Sequence, residues 1–112
     1  MNKYHNEKIE WNGERFDSKK ELQRYQKLLL IQRAGGIRNL KRQVPFILQP
    51  TFKLNGKTFM SIRYIADFVY EAPDKNGNVK KVVEDVKGFK TDVYEIKRKM
   101  FARVYGFEIT EV

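Results

Sequence analysis

The sequence predicts a single α+β domain with the order helix, three strands, helix, strand. Two segments, residues 18–34 and 91–106, carry apolar side chains at helical spacing and begin with residues that favour helix N-termini. Between them, residues 37–87 are rich in β-branched and aromatic side chains and are divided by turn dipeptides. The last six residues alternate apolar and polar, which is typical of a half-buried strand.

Length and composition limit the classes of protein to consider. A chain of 112 residues forms one domain that buries about two-thirds of its unfolded surface, with no room for a separate specificity domain. Its 23 Lys and Arg against 14 Asp and Glu give a net charge of +9, which indicates a polyanionic partner; the alternative is a basic protein whose charge serves only solubility. The chain has no cysteine, no apolar signal core at its N-terminus and no apolar run approaching ~20 residues. We therefore expect a soluble cytoplasmic protein without a membrane partner.

Residues 1–15 predict an N-terminal arm or a short hairpin that turns at Asn12-Gly13. His5 is the only histidine, so a lone exposed side chain is favoured over a metal ligand. Lys3, Lys8 and Arg15 suit either a DNA-gripping arm or a solvated tail. We assign residues 16–112 to the folded domain.

The first helix is predicted to begin at Ser18, with Glu21 as the capping-box partner of this N-cap residue. It ends at Ala34-Gly35-Gly36, where glycine accommodates a left-handed C-cap. One face carries the apolar stripe, which is formed by Leu22, Tyr25, Leu28, Leu29 and Gln32. Basic side chains on the other faces are Lys19, Lys20, Arg24, Lys27 and Arg33.

The middle of the chain predicts a three-stranded meander. Pro45 and Pro50 cannot donate to a ladder, so residues 37–53 should form an edge strand or a bent one. After the turn at Asn55-Gly56, residues 57–70 form a long strand that is apolar on both phases, which indicates cover on both sheet faces. A turn-rich gap with Asn76-Gly77 leads to a third strand over residues 80–87.

The second helix should begin at Lys90-Thr91-Asp92 and end at Gly106. Its apolar stripe is expected from Val93, Ile96, Met100, Phe101 and Val104. Its basic face is formed by Lys97, Arg98, Lys99 and Arg103.

Charged residues inside the meander are the main functional signal. Asp67 interrupts an apolar run, so its carboxylate needs a cation or hydrogen-bond donors to offset desolvation. Side chains alternate along a strand, so Asp85 and Lys87 share a face, roughly 7 Å apart at ~3.4 Å per residue. If Asp67 lies across the ladder, two acids and a lysine converge where a divalent cation could bind. Glu84 should project from the opposite face, as an outward residue or a salt-bridge partner.

Asp67 and Asp85-Val86-Lys87 on paired strands resemble the motif of the PD-(D/E)xK nuclease superfamily, with Ala66 in place of the motif's proline. Phe16-x-Ser18-x-x-Glu21 looks like the element that supplies a first-helix glutamate in that superfamily. The αβββαβ order is also its core arrangement, and the whole chain resembles a small family of phage-encoded proteins assigned to it. The resemblance implies a restriction-endonuclease-like core over residues 16–112, with a central mixed sheet flanked by helices.

The resemblance also implies site roles. Asp67, Asp85, the Val86 carbonyl and Glu21 would hold Mg²⁺, with Mn²⁺ as the expected substitute. Lys87 would lie near the attacking water or the scissile phosphate; the alternative for Lys87 is an ion pair with one of the two aspartates. The expected DNA-contacting cations are Lys19, Lys20, Arg24, Lys90, Lys97, Arg98, Lys99 and Arg103.

The expected function is a Mg²⁺-dependent DNA endonuclease that selects branched DNA, such as a four-way junction, in phage recombination or DNA processing. A homodimer would give two sites with the symmetry of such a junction. Two alternatives stay open. One is a non-catalytic basic DNA-binding module, and the other is a sequence-specific restriction or transposon-end nuclease subunit.

Overall fold

The computed structural model describes residues 8–112, so Lys3 and His5 of the expected N-terminal arm lie outside the described residues. In chain order the elements are β1 (Ile9–Trp11), β2 (Glu14–Phe16), α1 (Lys19–Arg33), β3 (Arg38–Gln49), β4 (Phe52–Leu54), β5 (Lys57–Phe59), β6 (Ile62–Pro73), β7 (Val79–Asp85), α2 (Asp92–Tyr105) and β8 (Thr110–Glu111). The predicted α+β class and αβββαβ order are confirmed. The β4–β5 hairpin is an insertion between the first two core strands.

A four-stranded mixed sheet forms the centre of the domain. Its order is β3-β6-β7-β8, with antiparallel pairs except for the parallel pair of β7 and β8. One apolar cluster joins the sheet to α2 and includes Phe46, Val69, Val83, Tyr94 and Phe101. The other cluster joins it to α1 and includes Leu28, Phe68 and Tyr70. The two helices therefore flank the sheet, and β3, which contains Pro45, is an edge strand as predicted. The predicted strand over residues 37–53 is divided, because β3 ends at Gln49, just before Pro50, and β4 begins at Phe52.

The Asn55-Gly56 turn was predicted correctly, but the boundaries of the strands around it were not. Asn55 and Gly56 both have positive φ, at 53° and 76°, as a two-residue hairpin turn of type I′ requires. The predicted continuous strand over residues 57–70 is wrong, because β5 ends at Phe59 and β6 begins at Ile62. At this break the Ser61 N–H donates to Thr51 Oγ1, 3.0 Å away, where a continuous strand would use the backbone ladder.

Both helices begin where expected. The Ser18 hydroxyl accepts from the Glu21 N–H at 3.1 Å, and the Thr91 hydroxyl accepts from the Tyr94 N–H at 3.0 Å. The capping box at α1 differs from the prediction, since Glu21 Oε1 accepts from the Asp17 N–H at 3.4 Å and not from the Ser18 N–H. Glu21 therefore binds a backbone N–H at the start of α1, but that N–H belongs to Asp17, one residue before the predicted partner Ser18.

The predicted apolar stripe of α2 is confirmed for Met100 and Phe101, which pack in the α2 cluster, and is wrong for its other three residues. Val93, Ile96 and Val104 are at least half exposed, whereas Tyr94 and Phe101 are buried against the sheet. Tyr94 and Phe101 are seven residues apart and therefore share one helix face. Aromatic side chains dominate core energetics, and these two rings form the face that packs on the sheet. Neither helix in the part of the chain that the structure describes is long and apolar enough to cross a membrane.

Candidate active site

The site is a cleft of about 1230 Å³ at the point where β6 and β7 lie side by side and α1 begins. Asp67 reaches it from the middle of β6 and Asp85 from the last position of β7. Glu21 enters from the first turn of α1, and Lys87 from the segment after β7. The structure therefore places all four predicted catalytic side chains around one cleft, together with Val86.

An irregularity in the sheet positions Asp67. Gln43 lies opposite Asp67, between the pairs Arg42↔Phe68 and Val44↔Ala66, and has a φ of +53°. Such a conformation is unusual for a non-glycine strand residue and is frequent near functional sites. The side-chain alternation of β6 changes phase here, because Ala66 packs in the α2 cluster and Phe68, two residues later, packs in the α1 cluster. Asp67 lies at this change of face.

Asp67 is held by groups from both neighbouring strands. Its Oδ2 accepts from the Val86 N–H at 2.8 Å, and its Oδ1 accepts a longer bond of 3.4 Å from Gln43 Nε2. The sequence predicted that the Asp67 carboxylate needs hydrogen-bond donors. The Val86 N–H, just after β7, is such a donor. This bond fixes the Asp67 carboxylate next to the segment that carries Asp85 and Lys87.

Asp85 is buried, and hydrogen bonds do not fully offset the desolvation of its carboxylate. Its side chain is only 3% exposed, and its Oδ2 accepts no hydrogen bond from any residue between 8 and 112. Lys87 Nζ lies 3.2 Å from this oxygen, so the two form an ion pair that lacks hydrogen-bond geometry. Burial, and then the nearby Asp67 carboxylate, raise the pKa of Asp85 from 3.8 to about 7, and Lys87 opposes the rise.

The Tyr64 hydroxyl is a second buried polar group at the cleft that finds no partner in residues 8–112. Burial raises the pKa of Tyr64, and the charge of the Asp85 carboxylate raises it further. Buried polar groups are normally hydrogen-bonded, so two such atoms without a hydrogen-bond partner at one cleft are unusual.

Glu21 lies on the other side of Asp67. It is 4% exposed, and its pKa rises from 4.5 to about 7, first because of burial and then because of the charge of Asp67. Arg42 approaches Glu21 Oε1 at 3.7 Å but also binds Glu14 at 2.9 Å. Within residues 8–112, no three Asp, Glu, His or Cys side chains meet at one point suitable for a metal. Glu21 thus borders the aspartate pair without completing a three-carboxylate ligand set.

Lys87 is oriented by its surroundings. Its ammonium lies 4.1 Å from the centroid of the Tyr94 ring, and the Tyr94 hydroxyl donates to Glu111 at 2.7 Å. Its backbone carbonyl accepts from Lys20 Nζ at 2.9 Å, and its N–H donates to the Val112 carbonyl at 3.2 Å. The C-terminal strand and α2 together hold Lys87 beside Asp85.

Glu84 has a structural role on the opposite side of β7. It is 1% exposed, so the expectation of an outward residue is wrong, and the alternative of a salt-bridge partner is confirmed. Arg24 donates to both of its oxygens, at 2.9 and 2.6 Å, and the Tyr70 hydroxyl donates to the second oxygen. Because its guanidinium is bound inside the domain, we withdraw Arg24 from the expected DNA-contacting set.

The other expected DNA-contacting cations fall into three groups. Lys20 and Lys97 line the cleft, and Lys19, Lys99 and Arg103 are exposed elsewhere on the helices. Lys90 binds Glu111 at 2.8 Å, and Arg98 binds Glu95 at 3.0 Å, so acids of the same chain already neutralise both.

Several cleft residues were missed from the sequence, among them Gln43, Arg63, Tyr64 and Tyr94. The strand period could have indicated Arg63, which is four residues before Asp67 and therefore projects to the same side of a regular strand. No sequence signal marks the strained backbone of Gln43.

Fold and site together define an α+β domain in which a half-buried aspartate, a buried aspartate and a lysine line one cleft beside the two inner strands of the central sheet. The chain belongs to the family described as "Protein of unknown function (DUF1064)", whose model matches residues 1–110. No curated protein sequence and no solved structure matches the chain.

Proposed function

We propose that this protein is a Mg²⁺-dependent DNA endonuclease of the PD-(D/E)xK superfamily. The observation that carries the proposal is the buried Asp85 carboxylate: one of its oxygens accepts no hydrogen bond and is paired only with the Lys87 ammonium, in a cleft that Asp67 also lines. A buried carboxylate left this way costs stability, and a function that needs a cation at this point gives a reason to retain it.

Charge balance at the cleft favours a divalent cation. The charge of Asp67 acts on both Asp85 and Glu21, whereas Lys87 pairs with only Asp85 and Arg42 is shared between Glu21 and Glu14. This acidic point lies within a protein of net charge +9, so the overall charge does not explain it. Asp67, Asp85 and the Val86 carbonyl would hold Mg²⁺, a hard cation that takes oxygen ligands and retains several waters. When bound, the ion would stabilise negative charge on a phosphate and lower the pKa of a water.

The remaining side chains suit phosphodiester hydrolysis. The Lys87 ammonium, beside Asp85 and over the Tyr94 ring, can orient an attacking water and offset charge that develops on the phosphate. Lys20, Arg63 and Lys97 at the cleft can bind flanking phosphates. Glu21 can influence the charge state of the pair through its contact with Asp67.

A nicking assay on supercoiled plasmid tests this proposal. Wild type should nick DNA with Mg²⁺ or Mn²⁺ and not with EDTA, and Asp67→Asn and Asp85→Asn should each lose this activity. The matched control is Glu71→Gln, which removes a carboxylate on β6 that pairs with Arg38 at 2.8 Å and does not line the cleft. DNA affinity without metal should stay near wild type in all three variants, because phosphate contacts by basic residues carry it.

Two outcomes would contradict the proposal. Wild-type-like nicking by both aspartate variants would show that Asp67 and Asp85 do not form the active site. Metal-independent binding without any cutting would favour the basic DNA-binding module, with Lys87 as a structural partner of Asp85.

The finer substrate preference is part of the proposal. We propose that branched DNA, including a four-way junction, is preferred, that the role is in phage DNA recombination or processing in the host cytoplasm, and that the protein acts as a homodimer on DNA. Cleavage of matched linear, nicked, flapped and four-way substrates, with light scattering of the DNA complexes, tests these points. Cutting restricted to one sequence on linear duplex would instead indicate a restriction or transposon-end nuclease subunit.

A further inference from the structure

The β4–β5 hairpin carries an exposed apolar face. The pairs Phe52↔Phe59 and Leu54↔Lys57 place these four side chains on one side of the hairpin, because paired residues and alternate residues share a face. We call this set the hairpin face. Phe52 and Phe59 are 42% and 43% exposed, Leu54 is 58% exposed, and the two rings stack at 4.9 Å. Clustered exposed apolar side chains of this kind indicate a binding surface.

The positive charge around the β4–β5 hairpin indicates which class of partner binds the hairpin face. The sequence contains no Asp or Glu between Glu21 and Asp67. Over β3, the hairpin and the first half of β6, the charged residues are all cations. Arg38 and Arg42 are neutralised by Glu71 and Glu14, and the cations without an ion pair within residues 8–112 are Lys41, Lys53, Lys57 and Arg63. A second copy that docked hairpin to hairpin would bring like charges together, whereas a polyanion is attracted to this region. Apolar rings among cations are the combination that single-stranded nucleic acid binds, through its bases and its phosphates.

The hairpin face is connected to the cleft by β6. The last pair of the β3–β6 ladder is Gln49↔Ile62, and the hairpin continues from these strand ends. Phe59 is eight residues from Asp67, which corresponds to at most about 27 Å at ~3.4 Å per residue. Arg63 and Ile65 line the cleft on this path. One DNA strand could therefore reach the hairpin within about eight nucleotides of the cleft at ~3.4 Å per nucleotide.

We propose that the hairpin face stacks unpaired bases of the DNA substrate, so that the protein selects DNA with unpaired bases within about eight nucleotides of the cut. This inference rests on the proposed nuclease function. Phe52 and Phe59 stack with bases of any sequence, since every base has a π-face, and Lys57 on the same face binds the adjacent phosphate. Bases inside a blunt duplex are already stacked on their neighbours and do not gain this contact.

Binding in EDTA tests the inference separately from catalysis. Fluorescence anisotropy compares a splayed fork with a blunt duplex of the same length, for wild type and for Phe52→Ala/Phe59→Ala. Loss of base stacking should weaken fork binding at least about fivefold and leave blunt-duplex binding within about twofold. Phe52→Leu/Phe59→Leu keeps an apolar cross-strand pair without rings and should give the same result if the Ala variant fails to fold. The matched control is Leu30→Ala, which removes a side chain 63% exposed on α1 and should bind both DNAs like wild type.

Unchanged fork affinity, or equal losses on both DNAs, would overturn the inference. A dimeric wild type that becomes monomeric when the rings are replaced, with fork affinity retained, would also overturn it and identify a second copy as the partner. Because these measurements contain no divalent ion, failure of the nuclease proposal would appear only in the plasmid assay.

Discussion

Asp67→Asn is expected to stabilise the metal-free protein at neutral and higher pH. Asparagine has nearly the shape of aspartate, and its side-chain oxygen can accept the bond from the Val86 N–H that spans 2.8 Å in the wild type. The substitution removes a negative charge that lies next to both Glu21 and Asp85 and raises the pKa of each. Removing one of several clustered carboxylates therefore relieves repulsion without removing the hydrogen bond.

The size of the effect follows from these two pKa values. A rise in the pKa of Glu21 from 4.5 to about 7 corresponds to roughly 3 kcal/mol of destabilisation once the group is ionised. Asp85, with a rise in pKa from 3.8 to about 7, contributes a similar amount. Burial is the largest cause in both residues and persists in the variant, so we expect a gain of about 1–2 kcal/mol from the loss of the Asp67 charge. For a domain of this size that raises the melting temperature by at least about 4 °C.

The gain should depend on pH with a defined sign. Because the folded-state pKa of Glu21 and Asp85 is raised, the folded protein binds more protons than the unfolded chain between about pH 4 and pH 7. Their contribution to stability is present below about pH 4, falls as the pH rises through this window and is constant above it. The difference between Asp67→Asn and wild type should therefore be near zero at pH 4 and reach its full size by about pH 8.

Thermal melts monitored by circular dichroism in EDTA, from pH 4 to pH 8.5, measure this difference. Glu71→Gln is the control, because Arg38 and Asn39 hold the pKa of this exposed carboxylate below its usual range. The control variant should show no gain above pH 7. An Asp67→Asn variant that is less stable than wild type at pH 8, or that differs equally at every pH, would refute the reasoning. Adding Mg²⁺ should raise the melting temperature of wild type and not that of Asp67→Asn.

Three further variants separate structure from chemistry. Glu21→Gln keeps an oxygen for the Asp17 N–H and loses the charge of a buried group, so its melting temperature should not fall while most nicking activity is lost; an active variant would make Glu21 a helix-terminus residue only. Ser18→Ala should cost about 1 kcal/mol of unfolding free energy and leave nicking unchanged, since only the N-cap bond is removed; lost nicking without lost stability would contradict this. Arg24→Ala should cost about 3–5 kcal/mol in urea unfolding, because Glu84 stays buried without its cation, and Arg24→Ala/Glu84→Gln should recover part of it. Weaker DNA binding by Arg24→Ala at unchanged stability would return Arg24 to the DNA-contacting set.

The sequence by itself determined the features that depend on neighbouring residues. Ser18 and Thr91 bond to N–H groups three residues ahead, and Asn55-Gly56 adopts the positive φ values that its residue types favour. The order of helices and strands follows from the spacing of apolar residues and from these cap and turn residues. Since the order places two particular strands side by side, it was also enough to bring Asp67 and Asp85 to the same cleft.

Tertiary structure decided which charges are buried and which helix face is covered. Glu84 and Asp85 are adjacent in the sequence, yet one is neutralised by Arg24, 60 residues earlier, and the other keeps an oxygen without a donor. The sheet covers the Tyr94 face of α2 and not the aliphatic stripe beside it, because the rings fit against strands that are distant in the sequence. Desolvation and packing are sums over all neighbours in space, so no local pattern specifies them.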